Sequence, residues 1–179
     1  MAEAFINQVN RAVGIVTSSS NASIGIGLTW MSGISTAHVA IHDIVDNANF
    51  IAGTKVTQVG VSSVQLDRAS TNTVAATASN VSFLGPTTSY SSASATKSIL
   101  IGGTFANNTA NSVNLTVTVY DNTAAVESQL ASKIPVPTGS SFVISDAGKT
   151  VLEGDDELRV YCDTENAIDV NLSILKGVS

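Results

Sequence analysis

Residues 113–120 read VNLTVTVY, and this stretch decides the fold class because apolar and polar side chains alternate along it. Val and Leu occupy the odd positions, whereas Asn, Thr and Tyr occupy the even ones. An extended chain with this period of two has one apolar and one polar face, as in a half-buried antiparallel strand. Residues 158–162 and 168–174 repeat the alternation. The sequence therefore predicts an all-β protein.

Turn-forming residues separate the alternating runs, and their spacing suggests how the chain is divided. Short strands at such intervals after residue 87 predict an antiparallel β-sandwich or jelly-roll-like domain over residues 87–179. The first half is also β-rich: residues 60–62 are expected to form the turn of a hairpin. We predict a small β-module over residues 17–86, with a linker or loop at residues 86–95.

The segment before the first module, residues 1–16, is interpreted as an N-terminal arm. Phe5, Val9 and Val13 would lie near one face of a short helix, and Ile6 adds a further apolar side chain. The segment has no evident place in either module. We therefore predict that Phe5, Ile6, Val9 and Val13 dock the chain onto a larger particle.

The composition argues against several classes of function. Only 12% of the residues are charged, the formal net charge is −6, and Lys and Arg do not cluster, so we expect no nucleic-acid partner. No run approaches the roughly 20 apolar residues that span a bilayer, so no membrane partner is expected. Residues 1–16 lack the apolar core of a signal peptide, which suggests synthesis in a cytoplasm without export.

Two pairs or clusters of residues are candidate metal ligands. His38 and His42 have the i, i+4 spacing of helical zinc sites, but Val39 and Ile41 alternate with them and favour a strand, which would hold the imidazoles about 13 Å apart. The acidic residues of 153–157 lack the spacing of a calcium loop and are interpreted as a solvated turn. We expect no metal and no cofactor.

The candidate nucleophiles also lack the neighbouring groups, above all a base, that catalysis requires. The single cysteine, Cys162, alternates with polar residues and is interpreted as a small core residue. Serines are abundant, but no Gly-x-Ser-x-Gly turn is present and histidine occurs only twice. We predict that the chain is not an enzyme.

Two aromatic residues are candidates for a surface role. Trp30 is interpreted first as a core or subunit-interface anchor, and alternatively as a sugar-stacking platform. Exposed aromatic rings near Trp30 and Tyr90 would favour the platform.

The order of turns and strands resembles that of β-sandwich modules in structural proteins of tailed bacteriophages, particularly cyanophage-like ones. The C-terminal half carries this resemblance in ILIGGTFAN (99–107), KIPVPTGSS (133–141), GKTVLE (148–153) and IDVNLSIL (168–175). The N-terminal half resembles another short phage module in GIST (33–36), DIV (43–45) and IAGTKVTQVG (51–60). His42 stands where that module would have glycine.

The resemblance implies a virion protein made in the host bacterial cytoplasm. Such modules form capsid decoration or cement proteins and head or neck fibres, which bind other virion proteins and work as homo-oligomers; a trimer is the first expectation. The alternative is a receptor- or glycan-binding module of a tail fibre or baseplate.

Overall fold

The computed structural model describes residues 3–71, 77–145 and 149–178, and these form strands and turns without a helix. The predicted all-β, sandwich-like fold is confirmed. Within these ranges no helix is present that is long and apolar enough to cross a membrane.

The described residues form fifteen strands, numbered here in chain order. The first eight are β1 (Ala4–Val13), β2 (Val16–Ile24), β3 (Trp30–Ser32), β4 (Ile44–Asp46), β5 (Val56–Val59), β6 (Ser63–Leu66), β7 (Thr77–Leu84) and β8 (Thr87–Ser91). The remaining seven are β9 (Lys97–Asn107), β10 (Val113–Asp121), β11 (Val126–Val136), β12 (Ser141–Ile144), β13 (Thr150–Leu152), β14 (Glu157–Cys162) and β15 (Ile168–Val178).

The larger of two compact units combines the start of the chain, through Val13, with Thr87–Tyr161 and the residues from Asn166 onward. It holds a five-stranded sheet in the order β1-β15-β9-β12, in which β13 also pairs with β9, and a four-stranded sheet in the order β11-β10-β14-β8. The pairings of β15 with β1 and β9, of β9 with β12 and β13, of β10 with β11 and of β8 with β14 are antiparallel. Ile168, Val170, Leu172 and Ile174 of β15 are buried, as the alternation predicts.

The smaller unit comprises Gly14–Pro86 and Cys162–Glu165. Its six-stranded sheet has the order β4-β7-β2-β3-β6-β5, and its core consists of buried apolar residues that include Met31, Val64 and Phe83. The predicted hairpin is confirmed: β5 pairs with β6, and the Gly60 N–H donates to the Ser63 carbonyl. Gly14 has a φ of +87°, and a Cβ there would lie 2.3 Å from the Thr164 carbonyl oxygen, so only glycine fits.

Two local predictions are wrong. Residues 4–13 form β1, which pairs with β15, and neither a helix nor a separate arm. Residues 87–91 form β8, which pairs with β14, although they were expected in a linker. In both places the partner strand is distant in sequence, and its backbone groups stabilise an extended conformation that local composition does not indicate.

The register of β15 can be tested by substitution of neighbouring residues. Leu172 is fully buried, whereas Ser173 is exposed on the opposite face of the sheet. We expect Leu172→Ala to lower the free energy of unfolding by about 2–5 kcal/mol, and Ser173→Ala to change it by less than about 0.5 kcal/mol. Urea unfolding measures both values; a larger loss for Ser173→Ala would contradict the register, because a slip of one residue exchanges the two faces.

Candidate functional site

The most distinctive surface of the larger unit is the solvent-exposed face of its five-stranded sheet, called here the outer face. Residues that pair across strands project on the same side of a sheet. The pairs Phe5–Leu175, Leu175–Ile99 and Ile99–Val151 therefore form an apolar row across four strands. Phe5 is 78% exposed and Val151 is 51% exposed. A sheet face in contact with water is normally polar, so this row is a candidate binding surface.

A shallow depression of about 360 Å³ lies beside Phe5 on this surface. Its lining residues are Phe5, Ile6, Asn7, Ile101, Ser173 and Ile174. The depression coincides with a bulge in the β9–β15 ladder, where Ser173 pairs with Gly102 but Ile174 pairs with Leu100, so that Ile101 has no opposite residue. The lining is apolar with one amide and one hydroxyl group, which suits an apolar side chain of a partner.

The residues predicted to dock the chain do not all reach this surface. Phe5 and Val9 are exposed on β1, with Val9 62% exposed, whereas Ile6 is half-buried and Val13 is completely buried. The helical grouping was wrong because a strand also places residues four apart on one face. Asn7, which lies between Phe5 and Val9 on that face, was not selected from the sequence because it is polar.

Trp30 and Tyr90 lie in different units and have different environments. Trp30 is 47% exposed on β3, so the interpretation as a core residue is wrong, whereas those as an interface anchor or a platform stay predictions. Tyr90 is half-buried on β8, and its hydroxyl group lies 2.8 Å from the Ser98 hydroxyl group. Ile26 and Leu28 are exposed just before Trp30, and sequence reasoning missed both.

The segment that contains the two histidines forms turns, so the predicted strand is wrong. His38 and His42 are exposed and have positive φ values of 67° and 77°. A glycine, which the resemblance implied at residue 42, would adopt this backbone conformation with less strain. Among the described residues, no group of three or more His, Cys, Asp and Glu could hold a metal ion.

Asp43 is the buried carboxyl group of the smaller unit. Its Oδ2 accepts hydrogen bonds from the Ala40 N–H and the Thr17 hydroxyl group. A Thr–His–Asp arrangement for nucleophilic catalysis would need the hydroxyl group against the imidazole, whereas here it contacts the carboxylate. Burial raises the pKa of Asp43, although both hydrogen bonds and His42 act in the opposite direction.

The acidic turn at residues 153–157 is held by protein hydrogen bonds. Asp156 accepts the N–H groups of Glu153 and Asn122, Glu153 pairs with Lys97 at 3.0 Å, and Glu157 pairs with Arg159 at 2.8 Å. Glu157 also accepts a hydrogen bond from the Thr88 hydroxyl group. The segment forms a turn as predicted, although Asp156 is buried and not solvated.

One polar cluster of the larger unit joins three strands of the four-stranded sheet. Glu127 on β11 accepts hydrogen bonds from the Thr118 hydroxyl on β10 and the Tyr161 hydroxyl on β14. Burial raises the pKa of Tyr161, and the bond to Glu127 adds to the effect. These groups tie the three strands together.

Cys162 is buried at the end of β14, as predicted. Burial raises the pKa of its thiol to about 12, so the thiolate required of a nucleophile is scarce at neutral pH.

The raised pKa of Asp43 predicts a pH dependence of stability. A carboxyl group that binds its proton more tightly in the native state stabilises that state at low pH, and this contribution is lost as pH rises above about 3.9, the unfolded value, and through the higher native pKa. We expect Asp43→Asn, which cannot ionise, to gain stability relative to wild type between about pH 3 and about pH 7. Urea unfolding followed by the fluorescence of the single tryptophan, Trp30, reports on the same unit.

The exposed carboxyl group of Asp155 offers a matched control, because Asp155→Asn removes the same charge from a turn of the larger unit. A pH profile of Asp43→Asn parallel to that of wild type would contradict the role given to Asp43.

No protein family, no curated protein and no solved structure matches the chain.

Proposed function

We propose that the chain is a structural component of a tailed-phage virion, a capsid decoration or cement protein or a head or neck fibre subunit. It acts through protein–protein contacts with other virion proteins and with further copies of itself. Two arguments support the proposal. The exposed apolar surface supports the mode of action, and the sequence resemblance supports the virion setting.

The apolar row of the outer face is the observation that carries the mode of action. Phe5, Leu175, Ile99 and Val151 form a continuous strip across four strands, and Phe5 and Val151 leave more than half of their surface in water. Burial of apolar area on a partner would be worth about 25 cal/mol per Å² before the cost of association is counted. A strip of this size holds one copy weakly but holds many linked copies firmly, as a repetitive particle requires.

The setting is supported by composition and by the turn patterns. A weakly charged surface rich in Ser, Thr and Asn favours packing among neighbouring proteins over long-range electrostatic steering. The stretches 99–107 and 168–175, which carry the resemblance to phage modules, form most of β9 and most of β15, the central strands of the sheet that bears the outer face.

A receptor- or glycan-binding role is the second candidate, and Trp30 favours it. An indole ring that is half-exposed on a strand can stack on a sugar ring, and Ile26 and Leu28 add exposed apolar area before it. Within the described residues these three side chains all belong to the smaller unit, so this role would use a different surface from the outer face.

Copy number distinguishes the two candidates. We expect quantitative mass spectrometry of purified particles of the encoding phage to find the chain at a copy number comparable to that of a capsid or neck protein, because a decoration protein follows the particle symmetry. Phe5→Asp combined with Val9→Asp should reduce incorporation. Val61→Asp is the control, because Val61 is 98% exposed at the β5–β6 turn. Scarcity in wild-type particles, or equal incorporation of all variants, would contradict the proposal.

Adhesion to host cells tests the second candidate. We expect the free recombinant protein neither to adhere to host cells nor to block infection, and its tryptophan emission to stay unchanged when host envelope polysaccharide is added. Adhesion that is lost in Trp30→Ala and retained in Val61→Asp would favour the receptor-binding role instead.

A further inference from the structure

β1 forms an edge of the five-stranded sheet, and with Glu3, which directly precedes it, presents five exposed residues at alternate positions. In chain order these are Glu3, Phe5, Asn7, Val9 and Arg11. An edge strand offers backbone N–H and C=O groups to another strand, so soluble proteins usually protect such edges.

The exposed residues of β1 are self-complementary. If a second copy of β1 pairs antiparallel with the first about a twofold axis at Asn7, Glu3 lies opposite Arg11, Phe5 lies opposite Val9, and Asn7 lies opposite itself. Opposite charges and apolar side chains in direct cross-strand positions both stabilise a sheet. All five side chains would be matched at once.

Neighbouring registers lose this match. An axis at Phe5 pairs Glu3 with Asn7 and leaves Val9 and Arg11 outside the ladder. An axis at Val9 pairs Asn7 with Arg11 and leaves Glu3 outside. Only the axis at Asn7 joins the two charges and uses every residue from 3 to 11.

Glu3 and Arg11 have no ion-pair partner within the described part of the chain, so both charges can pair with those of a second copy. The ion pairs found among the described residues join other groups, and none includes Glu3 or Arg11. The ladder with β15 shifts between Asn10 and Val13, where Ala12 has a φ of 56° and its N–H donates to Asp169. The regular ladder of β1 with β15 ends at Asn10, so Arg11 lies at the start of this bulge.

The other long edge strand, β11, is protected against the same pairing. Its ladder with β10 is interrupted by two register shifts, Lys133 has a φ of 50°, and Pro135 cannot donate a backbone hydrogen bond. β1 has no proline and no break between Ala4 and Asn10.

We propose that two copies of this chain associate through antiparallel pairing of their β1 strands about a twofold axis at Asn7. The two five-stranded sheets then form one continuous sheet, and Phe5 of each copy packs beside Val9 of the other. This twofold dimer replaces the trimer expected from the sequence. The inference rests on the part of the proposed function that concerns contacts between copies of this chain. It does not depend on the virion setting.

Charge reversal tests the pairing in solution. We expect sedimentation of the full chain to show a concentration-dependent dimer, and Arg11→Glu or Glu3→Arg to weaken it about tenfold or more, because each turns two attractive cross-strand pairs into repulsive ones. The double variant Glu3→Arg with Arg11→Glu should regain wild-type affinity. Lys176→Glu, on the neighbouring strand β15, is the control with the same change in net charge as Arg11→Glu.

Cysteine cross-linking tests the register. Two cysteines can form a disulfide when their Cα atoms are about 4.4–6.8 Å apart, as directly opposed strand residues are. Asn7→Cys should therefore form a disulfide-linked dimer under mild oxidation. Phe5→Cys alone should not, because the two positions would lie about 13 Å apart along the strands, whereas a mixture of Phe5→Cys and Val9→Cys should cross-link. The native Cys162 is buried in every variant.

Three results would overturn the inference: a monomer at all concentrations, a dimer indifferent to Arg11→Glu, or failure of the charge-swapped double variant to recover. Dimerisation with cross-linking through Phe5→Cys alone would show a different register and overturn it as well. Sedimentation and cross-linking test the dimer without particles, and the copy number in wild-type particles tests the proposed function without reference to the dimer, so failure of the inference and failure of the proposed function are distinguishable.

Discussion

The antiparallel ladder between β9 and β15 is the constraint on which the larger unit depends. Both strands have eleven residues, and every other strand of the five-stranded sheet pairs with one of them: β1 with β15, and β12 and β13 with β9. β1 comes from the start of the chain and β15 from its end, so the edge of the sheet is completed only when the C-terminal strand is in place. Such non-local pairing makes folding slow, because loop closure precedes the contacts that stabilise the sheet.

The ladder also explains which strands could be predicted from the sequence. β15 buries its apolar residues and exposes Asn171 and Ser173, so its alternation reveals both strand and face. The alternation of β10 reveals the strand but not a polar outer face, because Thr116 and Thr118 are buried as well. β1 mixes apolar and polar residues on both faces: Phe5 and Val9 face outward, whereas Gln8 and Asn10 face inward. Asn10 Oδ1 is buried without a partner among the described residues. Local and global preferences disagree at this strand, and disagreements of this kind concentrate at functional surfaces.

The candidate site could be predicted only in part, for the same physical reason. Phe5 and Val9 were selected from the sequence because they are apolar, although their helical grouping was wrong. Ile101 could not be selected, because its outward position depends on the bulge opposite β15, which is a property of two strands together. The turns at His38 and His42 were missed because an alternating pattern of only five residues does not exclude left-handed backbone conformations there.

Pairing through the edge of the sheet would engage Phe5 but leave the rest of the apolar row free, and this links the dimer to the function. Strand addition takes its specificity from Glu3, Asn7 and Arg11. The half-buried Ile99 and the exposed Val151 lie on strands away from the β1 edge and are not used by this pairing. A continuous sheet carries two copies of this apolar strip on the same side, related by the twofold axis. A particle surface that binds one strip then binds the second at high effective concentration, so a weak individual contact becomes sufficient for stable attachment.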